Sequence, residues 1–257
     1  MFAVVGPEVN VRPTVMAGLG ALAVAGVAVH SAPSLVALSA IGRRVSPGVA
    51  GVGPRGHVAL TFDDGPDPAS TPAFLDVLCD LDLRATFFML GSMARRAPGL
   101  AGEVAAAGHE VGVHGDLHRS QLRLSPRAVA DDVARARDSI AEATGVAPIW
   151  FRPPYGTLSL GGVRAARTAG LRPVLWTAWG RDWRAEATPD SVVADVMGGY
   201  VDGGTVLLHD SDCTSAPECW HAALGALPKL TDAFQARSLS VGPLGEHGIS
   251  RPQRRAA

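Results

Sequence analysis

Between residues 58 and 241 the chain alternates short apolar runs with segments of helical spacing, and this alternation restricts the fold more than any other feature. Strand-like runs fall at 58–62, 85–90, 109–114, 149–151, 171–177, 205–208 and 238–241. Helical periodicity occupies 72–82, 99–107, 126–144, 161–169, 189–201 and 220–234. Short links between strand and helix leave room only for βαβ crossovers, which make a parallel sheet or barrel. Strands in such a sheet are covered on both faces, so they read as continuous apolar runs, as Val58-Ala59-Leu60 does. Helix ends are marked too: Ser125 and Pro126 open the longest helix and Gly145 follows it. At 257 residues with 47% hydrophobic content, one domain of this kind can bury a sizeable core.

The ends of the chain differ from this pattern. Residues 14–29 carry no charge, Pro33 interrupts, and 35–42 are apolar again. The first run suits the hydrophobic region of a signal peptide, and both runs together suit a membrane anchor. Residues 1–44 are therefore expected to export the protein or tether it to a membrane, facing the cell wall. The Gly- and Pro-rich stretch 45–57 reads as a linker, 58–245 as the folded domain and 246–257 as a polar tail. A net charge of -1 without long charge runs excludes nucleic acid as a partner. Cys213 and Cys219 are close enough in sequence to bridge, whereas Cys79 is left single. Trp150, Trp176, Trp179, Trp183 and Trp220 gather in the second half, as core or as a stacking surface for sugar rings.

Chemistry-bearing residues fall at or just beyond the C-terminal ends of predicted strands: Asp63-Asp64, His114, Arg152, Asp182 and His209. In a parallel α/β fold these ends converge on one face, where active sites form. His114 and His118 are four apart, one helical turn, and with a carboxylate they make a common catalytic metal set. Asp64 completes that set, which leaves Asp63 free beside a cation to take a proton from water. Arg152 is expected to clamp Asp63 through a bidentate pair. The backbone N–H of Tyr155 is placed to meet an oxyanion, and His209 to protonate a departing amine.

Thr61-Phe62-Asp63-Asp64-Gly65, His114-x-x-x-His118, Arg152-Pro-Pro-Tyr155 and Leu207-Leu-His209 resemble the successive motifs of the polysaccharide deacetylase family, carbohydrate esterase family 4 or NodB-homology domains. The similarity spans about 58–230. It implies a distorted (β/α) barrel, usually of seven strands, and metal-dependent removal of N-acetyl groups from N-acetylhexosamine units of a glycan. By that resemblance Asp63 is the base, Asp64, His114 and His118 hold one divalent metal, and His209 is the acid. The metal is foremost zinc, with cobalt, manganese or nickel as alternatives. Tyr155 gives the oxyanion contact with Pro153 beside it, while Trp183 and Leu207 line the acyl pocket. Two positions depart from the family pattern. Gly115 stands where Ser or Thr is usual, and Trp179 where an Asp usually precedes the Trp by four residues; Asp182 is the residue left to tune His209. Other readings are a deacetylase or deformylase of a lipid-linked amino sugar, and a non-catalytic glycan-binding wall protein.

Overall fold

A computed structural model describes residues 38–249 together with Pro33 and Ser34. The run 14–29 and most of the polar tail lie outside the described residues. Two short helices, α1 (Ala40–Val45) and α2 (Pro47–Ala50), precede the first strand. The alternation then runs β1 (His57–Asp63), α3 (Thr71–Asp80), β2 (Thr86–Met89), α4 (Gly91–Arg96), α5 (Pro98–Ala106) and β3 (Glu110–Val113). It continues through α6 (Pro126–Thr144), β4 (Trp150–Phe151), α7 (Leu160–Thr168), β5 (Arg172–Pro173) and β6 (Ala178–Trp179). The last elements are α8 (Pro189–Met197), β7 (Thr205–His209), α9 (Trp220–Gln235) and β8 (Ser240–Gly242).

Every strand pairing is parallel, in the order β5-β4-β3-β2-β1-β7-β6, with β8 added to the start of β1. The sheet curls into the expected distorted barrel. One strand was expected at 171–177, but only β5 falls within that stretch; β6 begins just after it, and the two lie at opposite ends of the order. Helix α2 sits in the seam between them, since Leu175 donates its N–H to Val49 O at 2.7 Å. The stretch expected to be a linker is thus partly folded onto the barrel, with Ala50 fully buried. The tail also starts later than 246: His247 and Ile249 are buried beneath the barrel, and Ile249 O accepts from Arg172 at 2.8 Å.

Helix α6 shows how the sequence places one wall. Ser125 Oγ accepts from Ala128 N, Pro126 occupies the first turn, and Gly145 closes the helix at φ 70°. Val129, Val133, Ala136 and Ile140 repeat at helical spacing and are buried against the sheet. Each of the larger ones contributes ~2 kcal/mol by leaving water. Asp132 is buried on the same face, which an apolar stripe does not explain; its partners lie in the site.

Candidate active site

The central strand β1 and its neighbour β7 set the frame. Their register pairs Asp63 with His209, and β2 places Phe88 on the other side of Asp63. Arg152 follows β4, which pairs with β3 at Phe151 and Val113, and its N–H bonds Val113 O. Asp63, Asp64, His114, Arg152, Asp182 and His209, spread over 147 positions between residues 63 and 209, thus meet at one end of the sheet.

Asp64 turns away from the strand direction at φ 85°, a conformation that costs a non-glycine residue energy and aims its carboxylate at the two histidines. His114 Nε2 and His118 Nε2 both lie 3.4 Å from Asp64 Oδ1. His114 Nδ1 donates to Arg152 O at 2.9 Å, which turns its other nitrogen toward Asp64. Burial and neighbouring His114 push His118 down to about 4, so its ring is neutral at pH 7. Burial opposes ionisation of Asp64, yet His114, His209, His118 and the Thr214 hydroxyl outweigh it and hold its carboxyl below the usual range.

These residues fit a metal ion. Asp64 Oδ1 is buried and has no hydrogen-bond partner, although two imidazole nitrogens face it. The three ligand atoms lie within 4.8 Å of one another. Two ligands at 2.1 Å from one tetrahedral ion stand about 3.4 Å apart, which is the spacing found here. Thr214, on the loop after β7, donates from Oγ1 to the second carboxylate oxygen at 2.9 Å.

The two histidines do not share a helical face. Residues 114–118 form a loop held by Gly91 N–H to Gly115 O and Ser92 N–H to Asp116 O. Gly115 takes φ 100°, which glycine alone adopts cheaply. Where the family usually places a hydroxyl, Asp132 reaches in from α6: its Oδ2 accepts from Asp116 N at 2.9 Å, and its Oδ1 from Arg119 Nη2 at 3.0 Å.

Asp63 is 2% exposed and Arg152 fully buried. The clamp between them uses one nitrogen and not the expected fork. Arg152 Nη1 donates to Asp63 Oδ1 at 2.8 Å and to Thr61 Oγ1 at 2.7 Å, while Nη2 is drawn to Leu175 O at 3.2 Å. The guanidinium plane lies over the Phe88 ring, 4.1 Å from its centre, which fixes that approach. Asp63 Oδ2 is left open on the side of the metal cluster, 3.7 Å from His114 Nδ1.

Asp182 resolves the departure at Trp179. Its Oδ1 accepts from His209 Nδ1 at 3.0 Å and its Oδ2 from His209 N at 2.7 Å. Burial alone would lower the His209 pKa, but Asp182, then Asp64 and Asp63, push it up to about 10. Beneath the first turn, buried Asp210 accepts hydrogen bonds from Gly65 N at 3.1 Å and from Thr71 Oγ1 at 2.6 Å.

A cavity of about 280 Å³ opens over these groups. Leu207 and Trp183 line it, and Trp183 meets His209 edge-on at 5.7 Å. Tyr155 stands at the rim, 61% exposed, at φ 57° and with its ring edge-on to that of His118 at 4.3 Å. Pro153 is buried beside that turn and does not line the cavity. Trp176 and Trp179 stack at 5.9 Å to form a wall, whereas Trp150 is core. Thr214 and Ser215 also line it; nothing in their spacing marked them. Cys213 and Cys219, on the same loop, are both free thiols.

A carboxylate with one anchored and one open oxygen can accept a proton, and an imidazole held by a carboxylate can deliver one. Disposed around three ligands for a divalent ion, they belong to the class of metal-dependent hydrolases built on a parallel α/β sheet. Comparison with known proteins narrows that class. The polysaccharide deacetylase family model matches residues 50–174. A chitooligosaccharide deacetylase of a Bradyrhizobium species is 37% identical over 195 residues, covering 73% of this chain and 88% of that protein. The solved Bc1960 peptidoglycan N-acetylglucosamine deacetylase superposes with a TM-score of 0.71 at 26% identity, over 79% of this chain and 94% of that one. A CE4 family pseudoenzyme from Bacillus anthracis superposes with a TM-score of 0.68 at 25% identity, over 76% and 66% of the two chains. The chain belongs to the polysaccharide deacetylase family.

Proposed function

We propose that the protein hydrolyses the acetamide of an N-acetylhexosamine unit within a glycan, releasing acetate and leaving the free amine. The observation that carries this reading is the open Oδ2 of Asp63 beside the Asp64–His114–His118 cluster, with His209 paired to Asp63 across the β1–β7 register. Asp64, His114 and His118 would hold the divalent ion, zinc foremost given its two imidazole ligands, and that ion supplies Lewis-acid polarisation of the amide carbonyl and of water. Asp63 Oδ2 takes a proton as water oxygen bonds to the acyl carbon. Arg152 holds the other oxygen of Asp63 fixed. The Tyr155 N–H supports the developing oxyanion. His209, held by Asp182, gives its proton to the sugar nitrogen as the C–N bond breaks. Leu207 and Trp183 enclose the acetyl methyl group.

Among the described residues no helix is long and apolar enough to cross a membrane. The uncharged run 14–29 supports export or anchoring, with the domain facing the cell wall. Retention of both carboxylates, both histidines and Arg152 favours turnover over mere glycan binding. Acetate release from N-acetylglucosamine oligomers tests the proposal: activity lost to chelator and restored by zinc supports it, and activity indifferent to chelator overturns it.

A further inference from the structure

A second cavity of about 530 Å³ adjoins the first and shares His118 and Tyr155 with it. Its remaining lining is Arg119, Ser120, Arg123 and Leu124, so two arginines line it and no acidic residue does. The carboxylates of the neighbouring stretch are already engaged. Asp116 pairs with Arg95 at 2.6 Å and Arg135 at 3.6 Å, Asp132 with Arg119 at 3.0 Å, and Asp131 with Arg127 at 4.0 Å. Arg123 is exposed and has no ion pair with any described residue. The cavity therefore holds a surplus of positive charge within reach of the site where an acetamide would react.

The wall is braced and not a loose surface. Thr157 Oγ1 accepts from Ser120 Oγ at 3.2 Å and from Gln121 N at 3.3 Å, and donates to Pro154 O at 3.0 Å. These bonds tie the arginine loop to the turn that carries Tyr155. The Tyr155 ring offers an exposed aromatic face between the two cavities, suited to one sugar ring.

We propose that this cavity is a subsite for a carboxylate on the sugar next to the one deacetylated, and that Arg123 selects acidic glycans over neutral ones. The inference rests on the deacetylase reading above and specifies its substrate class. A glycan alternating N-acetylglucosamine with a lactyl-ether sugar supplies such a carboxylate at every second unit; a chitooligosaccharide supplies none.

The test uses the full chain and a tetrasaccharide of alternating N-acetylglucosamine and N-acetylmuramic acid, as the free acid and as its methyl ester. The ester keeps the shape and removes the charge. The wild type should prefer the acid by about fivefold in kcat/KM, mainly through KM, as suits one exposed ion pair. That preference should shrink in about 0.5 M salt, where exposed charges are screened. Arg123→Gln should bring the ratio to about one. A wild-type ratio of one, or a ratio that Arg123→Gln leaves unchanged, overturns the subsite while acetate release still upholds deacetylation. Release from neither tetrasaccharide nor a chitooligosaccharide removes both proposals together.

Discussion

Gly115→Ser restores the residue type that the family usually has after the first metal histidine, and the structure predicts that it does harm. Gly115 sits at φ 100°, where a side chain costs ~1–2 kcal/mol in backbone strain. An added Cβ would lie 3.0 Å from Asp132 Oδ2 and 3.3 Å from Leu117 O. Asp132 cannot retreat freely, because Oδ2 holds Asp116 N and Oδ1 is pinned by Arg119. Weakening that hydrogen bond to an ionised acceptor adds ~1 kcal/mol, for a total of about 2–3 kcal/mol. In a domain of this size that loss lowers Tm by about 4–12 °C. The loop joining the two imidazoles loses its brace at the same time, and losing such support typically weakens metal affinity by about tenfold or more. Thermal melts and zinc titration against a competing chelator measure the two effects. Gly115→Ala carries the strain without the hydroxyl and should match the serine variant. A serine variant with unchanged or higher Tm and wild-type zinc affinity would refute the reasoning.

Replacing Asp182 with Asn leaves burial opposed only by the more distant Asp64 and Asp63, so the His209 pKa falls from about 10. The alkaline limb of the kcat/KM profile should move acid-ward, and an unmoved limb contradicts this. The same pair stabilises the metal-free wild type fully below about pH 6.5, and that contribution is lost as pH rises towards 10. Tm should therefore fall faster between pH 7 and 10 in the wild type than in Asp182→Asn. Thr214→Val removes the hydroxyl that bonds Asp64 Oδ2, so zinc should bind about tenfold more weakly while urea stability changes by less than about 1.5 kcal/mol. Arg152→Met strands the buried Asp63 carboxylate and should cost about 3–5 kcal/mol in urea denaturation. Arg152→Lys should not restore it, since one ammonium cannot span Thr61, Asp63 and Leu175.

The parallel architecture was legible because buried strands and amphipathic helices leave different periodicities, and the convergence of Asp63, Asp64, His114, Arg152 and His209 followed from where strands end. Two errors have a common cause. The His114–His118 spacing matches a helical turn, yet Gly115 at φ 100° and bonds from Gly91 and Ser92 bend it into a loop. The fork expected between Arg152 and Asp63 gave way to Leu175 O, an acceptor 23 positions away. In both cases long-range backbone partners, invisible in local pattern, decided the geometry. Asp132 did carry a signal, since it interrupts the apolar stripe of α6 on its buried face. Thr214 carried none, because a short polar loop after a strand has no periodicity to violate.

The central claim is that Asp64, His114 and His118 bind one ion while Asp63 stands beside it unligated and moves the proton. Metal content and acetate release measured together on purified Asp63→Asn separate those duties most directly. The account predicts about one divalent ion per chain, as in the wild type, with kcat/KM reduced by about 10²–10⁴-fold. Loss of the metal along with activity, or activity preserved in the variant, would contradict it.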